Sequence, residues 1–199
     1  MKAVYAEVSE AFLKQRKQIG ADRNDEMWEG VLHMPPMPNR FHQDFNWALE
    51  TYLRLVWMPT REARVHHEVN VCPVGGWPNN YRVPDLVILL PERFGIDHNE
   101  YFEGAPNVVV EIRSPGDEAY EKLAYYADLG VPEVWIIDRD TCEPELHVLK
   151  RNHYKKKSAS TAGWLRSAET GLELRQGDGN RLVIRLEGND ATRQELSGE

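Results

Sequence analysis

The sequence predicts an α/β protein, and three observations support this. Three apolar runs, 83–90, 107–112 and 134–138, have the continuous hydrophobicity of strands that are buried on both faces. Residues 117–129, between the second and third runs, have helical spacing, which indicates a strand–helix–strand crossover. Upstream, apolar residues recur at intervals of three and four between Pro38 and Pro59, which predicts a long helix with one apolar face.

Composition limits the classes of protein that the chain can belong to. Its 199 residues, 41% of them hydrophobic and 28% charged, suit one soluble domain. The net charge of −8 argues against coating of nucleic acid by bulk electrostatics. Cys72 and Cys142 form no paired motif, so neither zinc nor a disulfide is indicated. No apolar run is long enough for a membrane span or a secretion signal, so we expect a cytoplasmic protein with no membrane partner.

The segments before the core are predicted in order. Ser9 caps a short helix that Gly20 ends, and residues 27–32 form two short strands around a tight turn. A proline-rich stretch then precedes the long helix. Residues 64–71 alternate as a strand does, and residues 73–80 form a loop rich in glycine, proline and asparagine.

The later segments complete a single domain, 1–199. Ser114 and Pro115 predict the capped start of the crossover helix, and Gly130 predicts its end. Short strands are predicted at 146–149, 153–157, 172–174 and 182–186. We therefore expect an N-terminal helical part (1–24), a core (25–138), C-terminal strands (139–187) and a loose tail (188–199).

Two carboxylates interrupt the apolar runs. Asp85 follows Pro84 at the start of the first run, and Glu111 lies inside the second. A buried, ionised carboxylate without a partner is so costly that it either takes up a proton or finds a cation. The alternatives are that Asp85 caps a turn and that Glu111 lies on a surface strand.

Lys122 is predicted to lie level with Glu111. Glu111 lies three residues before Ser114, roughly 10 Å back along a strand, and Lys122 lies about as far back along the returning helix. Two carboxylates suit Mg²⁺ or Mn²⁺, and a lysine beside them would orient or deprotonate an attacking water. The alternative is a surface ion pair between Lys122 and Glu118, four residues earlier.

These residues carry a family resemblance. The matching runs are Val83-Pro84-Asp85-Leu86-Val87, Val109-Val110-Glu111-Ile112-Arg113-Ser114-Pro115, Glu121-Lys122-Leu123 and Glu133-Val134-Trp135-Ile136-Ile137-Asp138, with Trp28-Glu29-Gly30-Val31-Leu32 and His42 upstream. From residue 25 to 138, and more weakly to Leu186, the chain resembles the Uma-two family, a large bacterial group of restriction-endonuclease-like proteins in the PD-(D/E)XK nuclease superfamily.

The resemblance implies a restriction-endonuclease-like core, in which a central mixed β-sheet is flanked by helices, with additional C-terminal strands. It also implies that Asp85 and Glu111 bind the metal, that Lys122 is the catalytic lysine and that Glu29 is an accessory acid. The alternative for Glu29 is an ordinary charged residue at a tight turn.

Several residues are candidate contacts to nucleic acid. Arg113 stands where the superfamily's simplest pattern has a lysine; it cannot act as a general base, but it could hold a phosphate. His42 is a further candidate, with packing on the long helix as the alternative. A cluster of cationic residues occupies positions 150–157. We call its Lys155, Lys156 and Lys157 the basic strand; these lysines could instead protect a sheet edge from association.

The sequence thus predicts an endonuclease that uses Mg²⁺ or Mn²⁺ to hydrolyse phosphodiester bonds in nucleic acid, with DNA as the expected substrate. The oligomeric state stays open, and a homodimer is one arrangement that the sequence allows. A protein of another class fits the same pattern. It would keep the nuclease fold as a catalytically silent nucleic-acid-binding or scaffold protein, because a fold does not by itself establish activity.

Overall fold

The computed structural model describes residues 3–5 and 7–198. The α-helices are α1 (Glu10–Gln18), α2 (Arg40–Tyr52) and α3 (Lys122–Leu129). A π-helical segment, Leu53–Trp57, and a 3-10 turn, Met58–Thr60, continue α2. The strands are β1 (Ala3–Tyr5), β2 (Glu26–Trp28), β3 (Val31–Met34), β4 (Arg64–His67), β5 (Asn70–Cys72), β6 (Leu86–Leu89), β7 (Tyr101–Glu103), β8 (Val108–Arg113), β9 (Glu133–Asp138), β10 (Pro144–Lys150), β11 (His153–Lys156), β12 (Leu165–Arg166), β13 (Leu172–Gln176), β14 (Leu182–Leu186) and β15 (Asn189–Leu196). Within the described ranges, no helix has the length and apolar character needed to cross a membrane.

The central sheet is mixed and has the strand order β11-β10-β9-β8-β6-β4. β8 and β9 are parallel neighbours joined through α3, whereas the other pairs in this sheet are antiparallel. The predicted crossover and the mixed sheet are therefore confirmed. Among the described residues there are also three smaller sheets, with the orders β1-β3-β2, β12-β13-β14-β15 and β5-β7.

Alternation along β8 sends side chains to two different cores. Val108, Val110 and Ile112 enter the larger core, which also contains the apolar face of α2 and the inner face of the C-terminal sheet. Val109 points to the opposite face, into a smaller core that contains Tyr126 of α3. Glu111 shares the face of Val109 because strand side chains repeat every two residues, so the carboxylate is directed toward α3.

α3 begins later than the sequence predicts. The predicted start near Asp117 is wrong because the Asp117 carboxylate accepts hydrogen bonds from the backbone N–H groups of Ser114 and Ala119 and so forms a non-helical turn. The end is as predicted: Gly130 adopts φ = 86°, the left-handed conformation that commonly closes a helix. Lys122 is therefore the first residue of α3, directly above the sheet.

Two other expectations are corrected. Residues 64–71 form two strands in different sheets, because the chain turns at Glu68, where φ is 49°. The loose tail predicted from Gly188 is wrong over Asn189–Leu196, which pairs with β14 and buries Leu196. Polar residues hid this strand because most of its side chains are exposed. Residues 1, 2, 6 and 199, which belong to the predicted N-terminal part and tail, lie outside the described residues.

Candidate active site

Asp85 and Glu111 meet at neighbouring strands. Asp85 immediately precedes β6, and Leu86 pairs with Val110 of β8, so the two carboxylates approach each other on the sheet. Asp85 Oδ2 accepts a hydrogen bond from the backbone N–H of Ile112 at 2.6 Å. Its other oxygen, Oδ1, lies 3.2 Å from His42 Nε2. Both contacts fix the orientation of the Asp85 carboxylate.

Glu111 is buried, with 5% of its surface exposed. The hydroxyl of Tyr126 donates a hydrogen bond of 2.6 Å to its Oε1. Burial raises the pKa of Glu111 to about 8; the negative charge of Asp85 adds to the increase, and the ammonium of Lys122 opposes it. A metal ion that binds Glu111 would have to displace this proton, so its binding would depend on pH.

Lys122 lies between two carboxylates. Its Nζ is 2.7 Å from Glu26 Oε1 and 3.1 Å from Glu111 Oε2. Burial lowers the pKa of Lys122, but the charges of Glu111 and Glu26 outweigh this effect, so the pKa is raised overall. Lys122 is therefore an ammonium. It can donate hydrogen bonds and stabilise negative charge.

The alternative surface pair between Lys122 and Glu118 does not form between these side chains. Glu118 Oε2 instead lies 3.1 Å from His33 Nδ1, and the backbone N–H of Lys122 donates to the carbonyl of Glu118. The predicted level position of Lys122 and Glu111 therefore agrees with the structure.

Glu26 is the residue that the sequence analysis missed. It lies on β2, is 3% exposed, and accepts hydrogen bonds from the backbone N–H of Val83 at 2.9 Å and from Trp28 Nε1 at 2.7 Å. Strand alternation places Glu26 and Trp28 on one face, and this was the available signal. A three-residue strand is too short for that alternation to stand out.

Glu29, the predicted accessory acid, is placed elsewhere. It occupies the turn between β2 and β3 with φ = 50°, is exposed, and is not among the residues that line the cavity above Asp85 and Glu111. Because side chains alternate along the hairpin and the turn carries Glu29 away, Glu26 takes the position that was expected for it.

A cavity of about 300 Å³ opens above these groups. One wall is formed by residues 35–38, and another by the turn at 114–119. The carboxylates that line the cavity come from Glu26, Glu68, Asp85, Glu111, Asp117 and Glu118. The permanent cations among the described lining residues are Lys122 and Arg139. The cavity is thus acidic and attracts cations before it can accept an anion.

The donor set suits a hard divalent cation. Mg²⁺ usually takes one or two carboxylates and keeps several waters, and Asp85 and Glu111 supply two carboxylates in a partly solvated cavity. Across residues 3–5 and 7–198, no group of three or more His, Cys, Asp or Glu side chains has the arrangement of a metal cluster, so a protein-enclosed zinc site is not formed there.

The predicted nucleic-acid contacts are dispersed. His42 lies in the cavity as the partner of Asp85. Arg113 is turned away from the cavity, with its guanidinium bonded to Asp138 and 5.6 Å from the ring centroid of Tyr120. Lys155 and Lys156 of the basic strand lie on β11, an edge strand of the central sheet, and Lys157 follows directly. The edge-protection alternative requires this position. Lys156 is paired with Glu145 at 2.6 Å. A phosphate role for these residues stays a prediction.

A mixed sheet that carries acids on adjacent strands, with a lysine from the crossover helix, defines a restriction-endonuclease-like protein. The chain belongs to the family described as "Uma2: Putative restriction endonuclease", whose model matches residues 9–180. A solved structure described as "a putative nuclease belonging to DUF820 from Anabaena variabilis ATCC 29413" is similar, with a TM-score of 0.58 and 20% identity over 73% of this chain and 83% of that one. At this identity the likeness shows the fold alone. No curated protein matches. Family membership favours a nuclease-like role.

Proposed function

We propose that this protein is a metal-dependent endonuclease that hydrolyses phosphodiester bonds in nucleic acid, with DNA as the substrate. One observation supports this most strongly: the buried ammonium of Lys122 lies between Glu111 and Glu26 at the base of an acidic cavity, beside Asp85. If the ion pairs of Lys122 only stabilised the fold, no cavity above the ammonium would be required. Here the cavity leaves room for a phosphate and a hydrated metal.

Asp85 and Glu111 would hold Mg²⁺ or Mn²⁺. When bound, the ion would polarise the phosphodiester and lower the pKa of a coordinated water. The described contacts prepare these ligands, because His42 orients Asp85 and Tyr126 orients Glu111. Burial raises the pKa of Tyr126 well above its ordinary value, so its hydroxyl stays a neutral donor.

Lys122 would act through its positive charge. Hydrolysis places extra negative charge on the phosphate oxygens as a water oxygen bonds to phosphorus and the ester oxygen leaves. An ammonium fixed at this point stabilises that charge without first having to reorganise. The proton from the attacking water passes to solvent or to a phosphate oxygen. Glu26 holds the ammonium in place at 2.7 Å.

A cleavage assay across substrates tests this proposal. Purified protein is incubated with duplex DNA, single-stranded DNA or RNA in Mg²⁺, in Mn²⁺ or in excess chelator. We expect endonucleolytic cleavage of DNA with either metal and none with chelator. Protein that is folded and binds metal but cuts no substrate would support the catalytically silent alternative. Cleavage confined to RNA would overturn the choice of substrate.

A further inference from the structure

Arg139 is the cation of the cavity that the catalytic arrangement leaves unused. It follows β9 directly and lines the cavity together with Ser114. Lys122 is committed to Glu26 and Glu111 at short distances. A phosphate that enters this part of the described structure therefore meets Arg139 as the permanent cation available to it.

Backbone hydrogen bonding fixes the position of Arg139 relative to Glu111. β8 and β9 are parallel, with Arg113 opposite Asp138, and the backbone N–H of Arg139 donates to the carbonyl of Arg113 at 2.9 Å. This bond holds Arg139 beside Arg113, the last residue of β8, which lies two residues beyond Glu111. Arg139 Nη1 lies 3.4 Å from Ser114 Oγ, so a guanidinium and a hydroxyl face the cavity side by side. Such a pair is suited to the oxygens of a phosphate.

The present partner of Arg139 is weakly held. Asp140 accepts from Nε at 2.8 Å and from Nη2 at 3.1 Å, but the Asp140 side chain is 53% exposed. Ion pairs of this exposure contribute little to stability. A backbone phosphate offers the same two-oxygen geometry and the same single negative charge, so it can replace Asp140 at small cost.

We propose that Arg139, with the Ser114 hydroxyl, binds a backbone phosphate of nucleic acid at the rim of the cavity, and that Asp140 occupies the guanidinium until the phosphate arrives. The site rests on the proposed function in its choice of ligand. Arg139 thereby takes the phosphate role that the sequence suggests for Arg113, whose guanidinium is held by Asp138 against Tyr120.

Two variants with opposite expected effects test the site. Binding of a fluorescent DNA duplex is measured by anisotropy in Ca²⁺, which takes the same oxygen ligands, at several salt concentrations, with gels to confirm that the DNA stays intact. Arg139→Gln should weaken binding about tenfold, as expected for loss of a charge-assisted contact, and should flatten the salt dependence by about one unit of slope. Asp140→Asn should strengthen binding, because it frees the guanidinium and removes a negative charge.

The opposite signs separate ligand binding from a structural role. If the Arg139–Asp140 pair only stabilised the fold, both variants would weaken binding or neither would. Arg181→Gln is the matched control: it makes the same charge change at an exposed arginine that pairs with Glu195 and lies outside the cavity lining, and it should bind like the parent. Equal binding by Arg139→Gln and the parent would overturn the site. DNA that is bound in this pattern but not cut would support the site and contradict turnover, whereas a parent that binds no nucleic acid would overturn both.

Discussion

Replacing Lys122 with methionine removes the ammonium from between Glu26 and Glu111 but keeps an apolar stem of similar length. The three side chains are 11%, 4% and 6% exposed, respectively, so water cannot replace the lost cation easily. Removing one partner of a buried ion pair typically costs about 3–5 kcal/mol. Because burial already raises the pKa of Glu111, this group can take up a proton and limit the cost, and we expect a loss of about 3 kcal/mol near pH 7.

The stability of the Lys122→Met protein should itself depend on pH in a defined direction. Without Lys122 the pKa of Glu111 rises further above its unfolded value, so the folded state binds more protons than the unfolded state. The free energy of unfolding then falls as the pH rises from about 5 to 8. From the sequence alone we expect removal of Lys122 to leave folding nearly intact, because a water-positioning group acts mainly in the transition state.

Urea denaturation followed by tryptophan fluorescence at pH 5.5 and pH 8 measures both effects. Lys150→Met is the control, because Lys150 is exposed and its loss should change stability by no more than about 0.5 kcal/mol. A Lys122→Met protein as stable as the control at both pH values would refute the buried ion pairs.

Three further predictions concern the ligands and the edge strand. Mn²⁺ affinity, measured by calorimetry, should increase from pH 6 to 8, because Glu111, with its pKa raised to about 8, must lose its proton to bind the ion; an affinity independent of pH would contradict this. His42→Gln should cost more stability at pH 5.5 than at pH 8 in urea denaturation. Burial lowers the pKa of His42, but the contact with Asp85 outweighs burial, so the pKa is raised overall. The stabilisation is therefore present below about pH 6.5 and is lost as the pH rises through the folded-state pKa. Equal losses would argue against a charged pair. Replacing the basic strand's three lysines with glutamine should flatten the salt dependence of DNA binding by up to about three units if they contact phosphates, and an unchanged slope would leave edge protection as their role.

The sequence could predict those parts of the site that local pattern determines. Glu111 stands out because an acid interrupts an apolar strand, and Lys122 follows because a crossover helix must return over that strand. Both inferences use short stretches of chain with regular geometry. The start of α3 was misplaced because the Asp117 side chain forms a turn that competes with a helix cap.

Glu26 could not be predicted because its position depends on tertiary packing. The hairpin that carries it is held by the buried guanidinium of Arg82, which lies 4.1 Å from the ring centroid of Trp28 and 3.9 Å from that of Tyr125 on α3. Three segments distant in sequence meet there, and no periodicity reports such a contact. The same packing brings Glu26 to Lys122.

The rate of DNA cleavage in Mn²⁺ by the parent, Glu111→Gln and Glu103→Gln tests the central claim most directly, with enzyme in excess so that a single turnover is observed. Glu103 on β7 lies outside the lining of the cavity and serves as the matched control. We predict that the parent and Glu103→Gln cut at similar rates, and that Glu111→Gln is slower by about 100-fold or more, as expected when an electrostatic catalytic contact is lost. Cleavage by Glu111→Gln at the parent's rate would contradict the assignment of this cavity as the active site.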